Sequence, residues 1–152
     1  MLQHTALFLH LLGFAGYAGA GFAQQAFVAM SAADGLATPV RDAYERVAAA
    51  IVTKIELPAL FLSLFSGILF LVYEPAYLRQ AAWFHPKMTC VVVLLILSHL
   101  EMFNARRIVR ARAAGGGDAD IAKRKKRHRI FGMIGGVLVA IILVLVSFVR
   151  TA

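Results

Sequence analysis

Residues 83–107 read WFHPKMTCVVVLLILSHLEMFNARR, an apolar run that carries His85, Lys87, His99 and Glu101 within it or at its edges. A helix needs about 20 apolar residues to cross the hydrocarbon of a bilayer. Ionisable side chains at that depth are costly and face a cavity or a partner helix. The run therefore predicts a membrane-spanning helix with a polar inner face.

Outward from this stretch, the same length criterion marks four spans, at about 5–30, 47–73, 86–105 and 130–149. The 152 residues are 61% apolar, with a mean hydropathy of +0.75, well above the roughly half-apolar composition of a soluble domain. The expectation is an all-α integral membrane protein, a single four-helix transmembrane bundle over residues 1–152 in a lipid bilayer. The small residues AGYAGAGFA at 15–23 resemble a signal-peptide cleavage region. No basic segment precedes that run, however, and it is too long, so it reads as a retained helix. A single cysteine, Cys90, rules out an intrachain disulfide and reads as a small core residue.

The net charge of +8 is concentrated: ten of the 16 Lys and Arg residues lie between Arg106 and Arg129, read as the loop joining the third and fourth helices. Within that loop AAGGGDAD reads as a flexible linker. A basic loop between spans is a topology signal that faces the cytoplasm. Contact with anionic lipid explains it better than nucleic acid does, and no nucleic-acid partner is expected. Four spans then put both termini outside and the connection SAADGLATPVRDAYER, residues 31–46, inside. The outer loop from Glu74 to Phe84 has Arg79 as its one base. Tyr73, Tyr77, Trp83 and Phe84 read as an interfacial aromatic belt.

On the first helix, His10, Gly13, Tyr17, Ala20 and Gln24 share one face at helical spacing, and that polar, cut-away face should look inward. Its small residues suit close helix packing as well as a flat ligand. On the second helix Pro58 removes a backbone hydrogen bond and should bend the chain. Nearby Lys54 and Glu56 point to different faces; Lys54 either snorkels to the interface or serves a pocket. Pro86 suits the first position of the third helix, leaving His85 at or just before its start. The fourth helix reads as a packing wall, with Gly132, Gly135 and Gly136 allowing close approach.

His10 is the residue that most invites chemistry, because a neutral imidazole in an apolar helix bundle suits haem iron. A hydrogen bond to a neighbouring helix is the structural alternative. His85 lies at a similar depth and is a second candidate ligand to the metal, or a partner for a haem propionate, as is Lys87. His99 sits deeper and reads either as a ligand in a second pocket or as a hydrogen-bonding bundle residue. His4 and His128 read as solvent or headgroup histidines. No serine nucleophile set, phosphate-binding glycine loop or pair of catalytic carboxylates can be assembled, which argues against hydrolase and nucleotide-dependent chemistry.

The early-helix histidine, LPALFLSLFSGILFLVY at 57–73, the HPK of the third helix with His99 downstream, and the basic segment before a last apolar helix together resemble the HemJ-type membrane proteins. More loosely, they resemble the CopD-like superfamily around them. The likeness covers most of the chain. It implies a four-helix haem b protein of the bacterial inner membrane that oxidises protoporphyrinogen IX to protoporphyrin IX, with quinone as a possible electron acceptor. Position by position, His10 is similar to the family's first-helix histidine, Pro58 and Gly67 to its second-helix proline and glycine, and His85 and Lys87 to its His-x-Lys. His99 and Arg106 fall near its later His and Arg. The cofactor set expected around haem is His10, Gly13, Tyr17, His85 and Lys87. The fourth helix departs: RIFGMIGG at 129–136 puts Gly132, Met133 and Gly135 where the family commonly has Asn-Glu-Val-Pro. Alternatives from other classes are a CopD-like copper or solute transport component, and an accessory subunit that docks on a larger membrane complex or forms a homodimer.

Overall fold

Among the described residues four long helices carry the fold: α1 (Leu2–Met30), α2 (Thr38–Tyr73), α3 (Ala81–Ala113) and α4 (Asp118–Ser147). The computed structural model describes residues 1–73, 75–76 and 81–147, with backbone alone at 81–83. All four helices are long and apolar enough to cross a membrane, and no strand occurs among the described residues. The protein is thus an all-α, multi-pass membrane protein. Tyr77 and Arg79 of the expected outer loop, and the side chain of Trp83, lie outside the described residues.

The helices run past the apolar spans. At 1.5 Å per residue α3 is about 50 Å long, roughly 20 Å more than the hydrocarbon is thick. The overhang collects at the basic end, where the expected boundaries need correction. α2 begins at Thr38 rather than near 47, with Pro39 in its first turn. Most of the basic loop is helical, and the supposed flexible linker is a tight cap. Gly115 adopts φ 70°, and the N–H groups of Gly116 and Gly115 donate to Ala111 O and Arg112 O, which closes α3 before α4 starts at Asp118. At the opposite end α3 starts at Ala81, so Pro86 lies inside it and His85 is helical. Proline so close to the start removes a single backbone bond and is tolerated there.

Within α2, residues Val52–Glu56 form a π-helical turn, in which Leu57 N–H donates to Val52 O. Pro58 follows at once. Its ring would crowd the carbonyl four residues back in a regular helix, and the wider turn absorbs it. The extra residue also sets which side chains face inward: Glu56 is 1% exposed, whereas Lys54 is exposed and fits the snorkelling reading.

One residue from each helix, Tyr17, Leu60, Leu94 and Ile142, makes the central apolar cluster. α1 packs along α2, α3 along α4, and α1 also reaches α4. The inward face expected for α1 is found: Ala6, Gly13, Tyr17, Ala20, Gln24 and Val28 are buried. Phe84, placed by sequence in an interfacial belt, is instead buried, whereas Tyr73 is exposed. Outside, Phe8, Phe22, Phe65, Met133 and Val137 are exposed, which suits acyl chains.

Gly13 sets the α1–α2 distance. A Cβ there would lie 2.5 Å from Ser63 N and 2.8 Å from Ala59 O, both backbone atoms that cannot step aside, whereas a Cβ at Gly19 meets nothing within 4 Å. Gly13→Ala should therefore destabilise the detergent-solubilised protein by about 1–3 kcal/mol in thermal unfolding, while Gly19→Ala should be neutral or stabilising by up to about 1 kcal/mol. Equal effects from the two substitutions would contradict this packing.

Candidate functional site

The polar side chains fall into four groups, stacked from the basic end inward. The first is an ion cluster. The Glu45 carboxylate of α2 accepts from Arg112 Nε at 3.2 Å and Nη2 at 3.0 Å on α3, and pairs with Lys125 Nζ of α4 at 2.6 Å. Lys125 also donates to Ser31 O, just past α1, at 3.0 Å. Arg112 continues to Asp118 at 2.8 Å. One carboxylate thus gathers all four helices, and its side chain is 1% exposed. At that burial an unpaired partner would cost several kcal/mol, so the cluster fixes the register of the basic end.

A seam of amides follows one layer further in. Gln25 Nε2 donates to Glu101 Oε1 at 2.9 Å and to His128 O at 3.3 Å, and Gln24 Nε2 reaches the same Glu101 oxygen at 3.4 Å. Gln24 Oε1 lies 2.6 Å from His128 Nε2. Because the amide oxygen can only accept, His128 Nε2 carries the proton. His128 is wholly buried, so the headgroup reading from sequence is overturned. The reason is that α4 already runs as a helix at 118, and Ile121, Lys125 and His128 form its inward stripe. That spacing of four and three was present within the basic run, hidden by its charge. His4 is exposed, as expected.

Beyond the seam lies a cavity of about 60 Å³, lined from all four helices by residues that include Tyr17, Gln25, Glu56, Glu101 and Gly132. Tyr17 Oη sits 3.1 Å from Ser98 Oγ. Glu56 and Glu101 both line it, and no Lys or Arg among the described residues does. Glu56 Oε2 is buried without a hydrogen-bond partner. Gly132 is needed because the Gln25 amide occupies the place of a Cβ there.

At the far end His10 is half-buried on α1, with Nδ1 2.7 Å from Ser63 O of α2 and 3.3 Å from Ser63 Oγ, which in turn donates to His10 O at 3.2 Å. The carbonyl only accepts, so Nδ1 holds the proton and Nε2 keeps its lone pair. Gly67 makes room for this ring: a Cβ there would lie 2.9 Å from Nδ1. Lys87 is close enough to His10 to interact electrostatically. His85 is exposed, its ring set edge-on to Phe84 at 5.9 Å. His99 donates from Nδ1 to Leu95 O at 2.7 Å and meets Phe61 edge-on at 6.0 Å, which leaves its Nε2 in the same state as that of His10.

The structure therefore places His10 and Lys87 in one neighbourhood, gives Gly13 a helix contact, and puts Tyr17 in the core beside the acidic cavity. Among the described residues no group of three or more His, Cys, Asp or Glu could hold a metal ion. Compared with known protein families, curated proteins and solved structures, the chain matches none.

Glu56, Glu101 and Gln25 are the residues to which sequence reasoning gave no role in a site. Gln24 was legible as part of the α1 inner face, and Glu56 was unreadable without the π turn that redirects it. Gly132→Ala should expel the Gln25 amide from its bonds to Glu101 and His128 and lower thermal stability by about 1–3 kcal/mol. Gly136→Ala, where a Cβ meets nothing within 4 Å, should not. Equal melting temperatures for Gly132→Ala and the parent protein would contradict the seam.

Proposed function

We propose that this multi-pass membrane protein is a haem b-binding redox protein of HemJ type in a bacterial inner membrane, with His10 as an axial ligand to the iron. The observation that carries the reading is the His10–Ser63 hydrogen bond. A metal-binding imidazole is ordinarily oriented by just such a bond from its other nitrogen to a carbonyl. Here it leaves Nε2 as a free donor on a half-buried ring within a span. The donor chemistry thus fits a haem ligand, and Lys87 beside it is a cation suited to a propionate. Gly13 and Gly67 do not form the cradle, because α2 backbone and the His10 ring take up their space.

In this reading haem, when bound, supplies one-electron chemistry. The protein's own residues do the rest: His10 holds the iron, Lys87 balances propionate charge, and exposed His85 is the candidate second ligand or propionate partner at the same end. The reaction that the resemblance implies is oxidation of protoporphyrinogen IX to protoporphyrin IX; a quinone is the electron acceptor we propose for it. Positive-inside logic assigns the basic end, with the ion cluster, to the cytoplasm and both termini to the outside.

A reduced-minus-oxidised absorption spectrum of the detergent-purified protein tests the reading. The expected result is a b-type band that His10→Ala abolishes and His4→Ala leaves intact. Absence of the band after haem reconstitution, or an unchanged band in His10→Ala, would overturn it.

A further inference from the structure

The cavity between the helices is unused by the haem reading, which centres on the other end of α1. Its walls are oxygen-rich: the carboxylates of Glu56 and Glu101 and the Tyr17 hydroxyl all line it, with Ser98 Oγ bonded to that hydroxyl. The two carboxylates are not equivalent. Glu101 Oε1 accepts from both Gln24 and Gln25, so amide dipoles support its negative charge. Glu56 is 1% exposed; the Ser98 hydroxyl supports its carboxylate, and its Oε2 has no hydrogen-bond partner among the described residues. Among the described residues, the basic groups nearest in the fold are engaged elsewhere or exposed. Lys54, on the same helix, is exposed, Lys125 and Arg112 are committed to Glu45, and His128 of α4 is bonded to Gln24.

A buried carboxylate supported by a single hydroxyl, with one oxygen unpaired, is not sustained as an anion in such a place: it takes up a proton or a metal cation. One charge remains to be matched, because the amides already serve the other carboxylate. The volume of about 60 Å³ exceeds the roughly 10–15 Å³ that a single water requires, so it has room for a small ion and a water. Gly21 and Gly136 line the same cavity on α1 and α4, and a Cβ at either would meet nothing within 4 Å, so the wall is not closely packed at these two positions.

We infer that this cavity is a binding site for one monovalent cation, a proton or an alkali metal ion, with Glu56 as its principal ligand and Glu101 as the second carboxylate. Such a site gives the protein a means of taking up and releasing a positive charge within the membrane. It does not depend on haem.

Dicyclohexylcarbodiimide tests it, since this apolar reagent adds to protonated carboxyl groups in membrane sites. The full chain in detergent micelles is treated over a pH series in choline chloride, and again with sodium or lithium chloride at equal ionic strength, and adducts are mapped by mass spectrometry. In choline, Glu56 should be labelled at least tenfold more than Glu45, whose carboxylate is held by two cations. A several-fold fall in Glu56 labelling in sodium or lithium supports an alkali ion as the occupant, and labelling indifferent to salt supports the proton. Glu56→Gln should remove the adduct while keeping the helical content and melting behaviour of the parent. Labelling of Glu56 no greater than that of Glu45 at every pH in choline would overturn the proposal. Because the readout needs no haem, its failure is distinct from a missing b-type band.

Discussion

The hydrocarbon core of a bilayer offers no hydrogen-bond partner, and this constraint shapes the whole bundle. A helix that carries Gln24, Gln25, His10 and Tyr17 through that medium must dock them on neighbours or not insert as it does. α1 meets the demand on three sides. His10 bonds to α2, Tyr17 and the glutamines to α3, and Gln24 and Gln25 to α4. Glycines then set how near the partners come, with Gly13 admitting the α2 backbone and Gly132 admitting the Gln25 amide. Polar contacts of this kind contribute only about 0.6–2 kcal/mol each in a membrane. Their greater effect is on specificity, because any other register would strand several polar groups at once.

Much of this was legible before the structure. The number of spans followed from the lengths of apolar runs, and the inward face of α1 followed from the spacing of His10, Gly13, Tyr17, Ala20 and Gln24. What failed did so for physical reasons. The run of Lys and Arg from 106 to 129 was read as a solvated loop, because charge hides the helical stripe Ile121, Lys125, His128 that buries one lysine and one histidine. The glycines at 115–117 looked like a flexible linker, although Gly115 supplies the left-handed conformation that a helix cap requires. Glu56 could not be placed at all. A regular helix and a π turn give it different faces, and nothing short of the fold tells that Pro58 is accommodated by the wider turn.

The candidate chemistry divides along α1. His10 and Lys87 lie toward one end, with an imidazole nitrogen ready for a metal, and the carboxylates lie toward the basic end, beneath the amide seam. On the proposed reading, electron handling and charge compensation would occupy different depths of one bundle. The arrangement also accounts for Gly132, one of the residues that departs from the HemJ-type pattern in the fourth helix. Gly132 admits Gln25 and thereby completes the seam that holds Glu101.

The account rests on the docking of α1 through its glutamines, and a double-mutant cycle between Gln25 and Glu101 measures that most directly. Unfolding of Gln25→Leu, Glu101→Leu and the double variant would be followed in detergent. Each single change strands the remaining partner, whereas the double change removes both. If the two side chains hold one another, the double variant loses less stability than the sum of the singles, by about 0.5 kcal/mol or more. Strict additivity would mean that the two side chains do not hold one another, and would contradict the seam on which the fold and the acidic cavity depend.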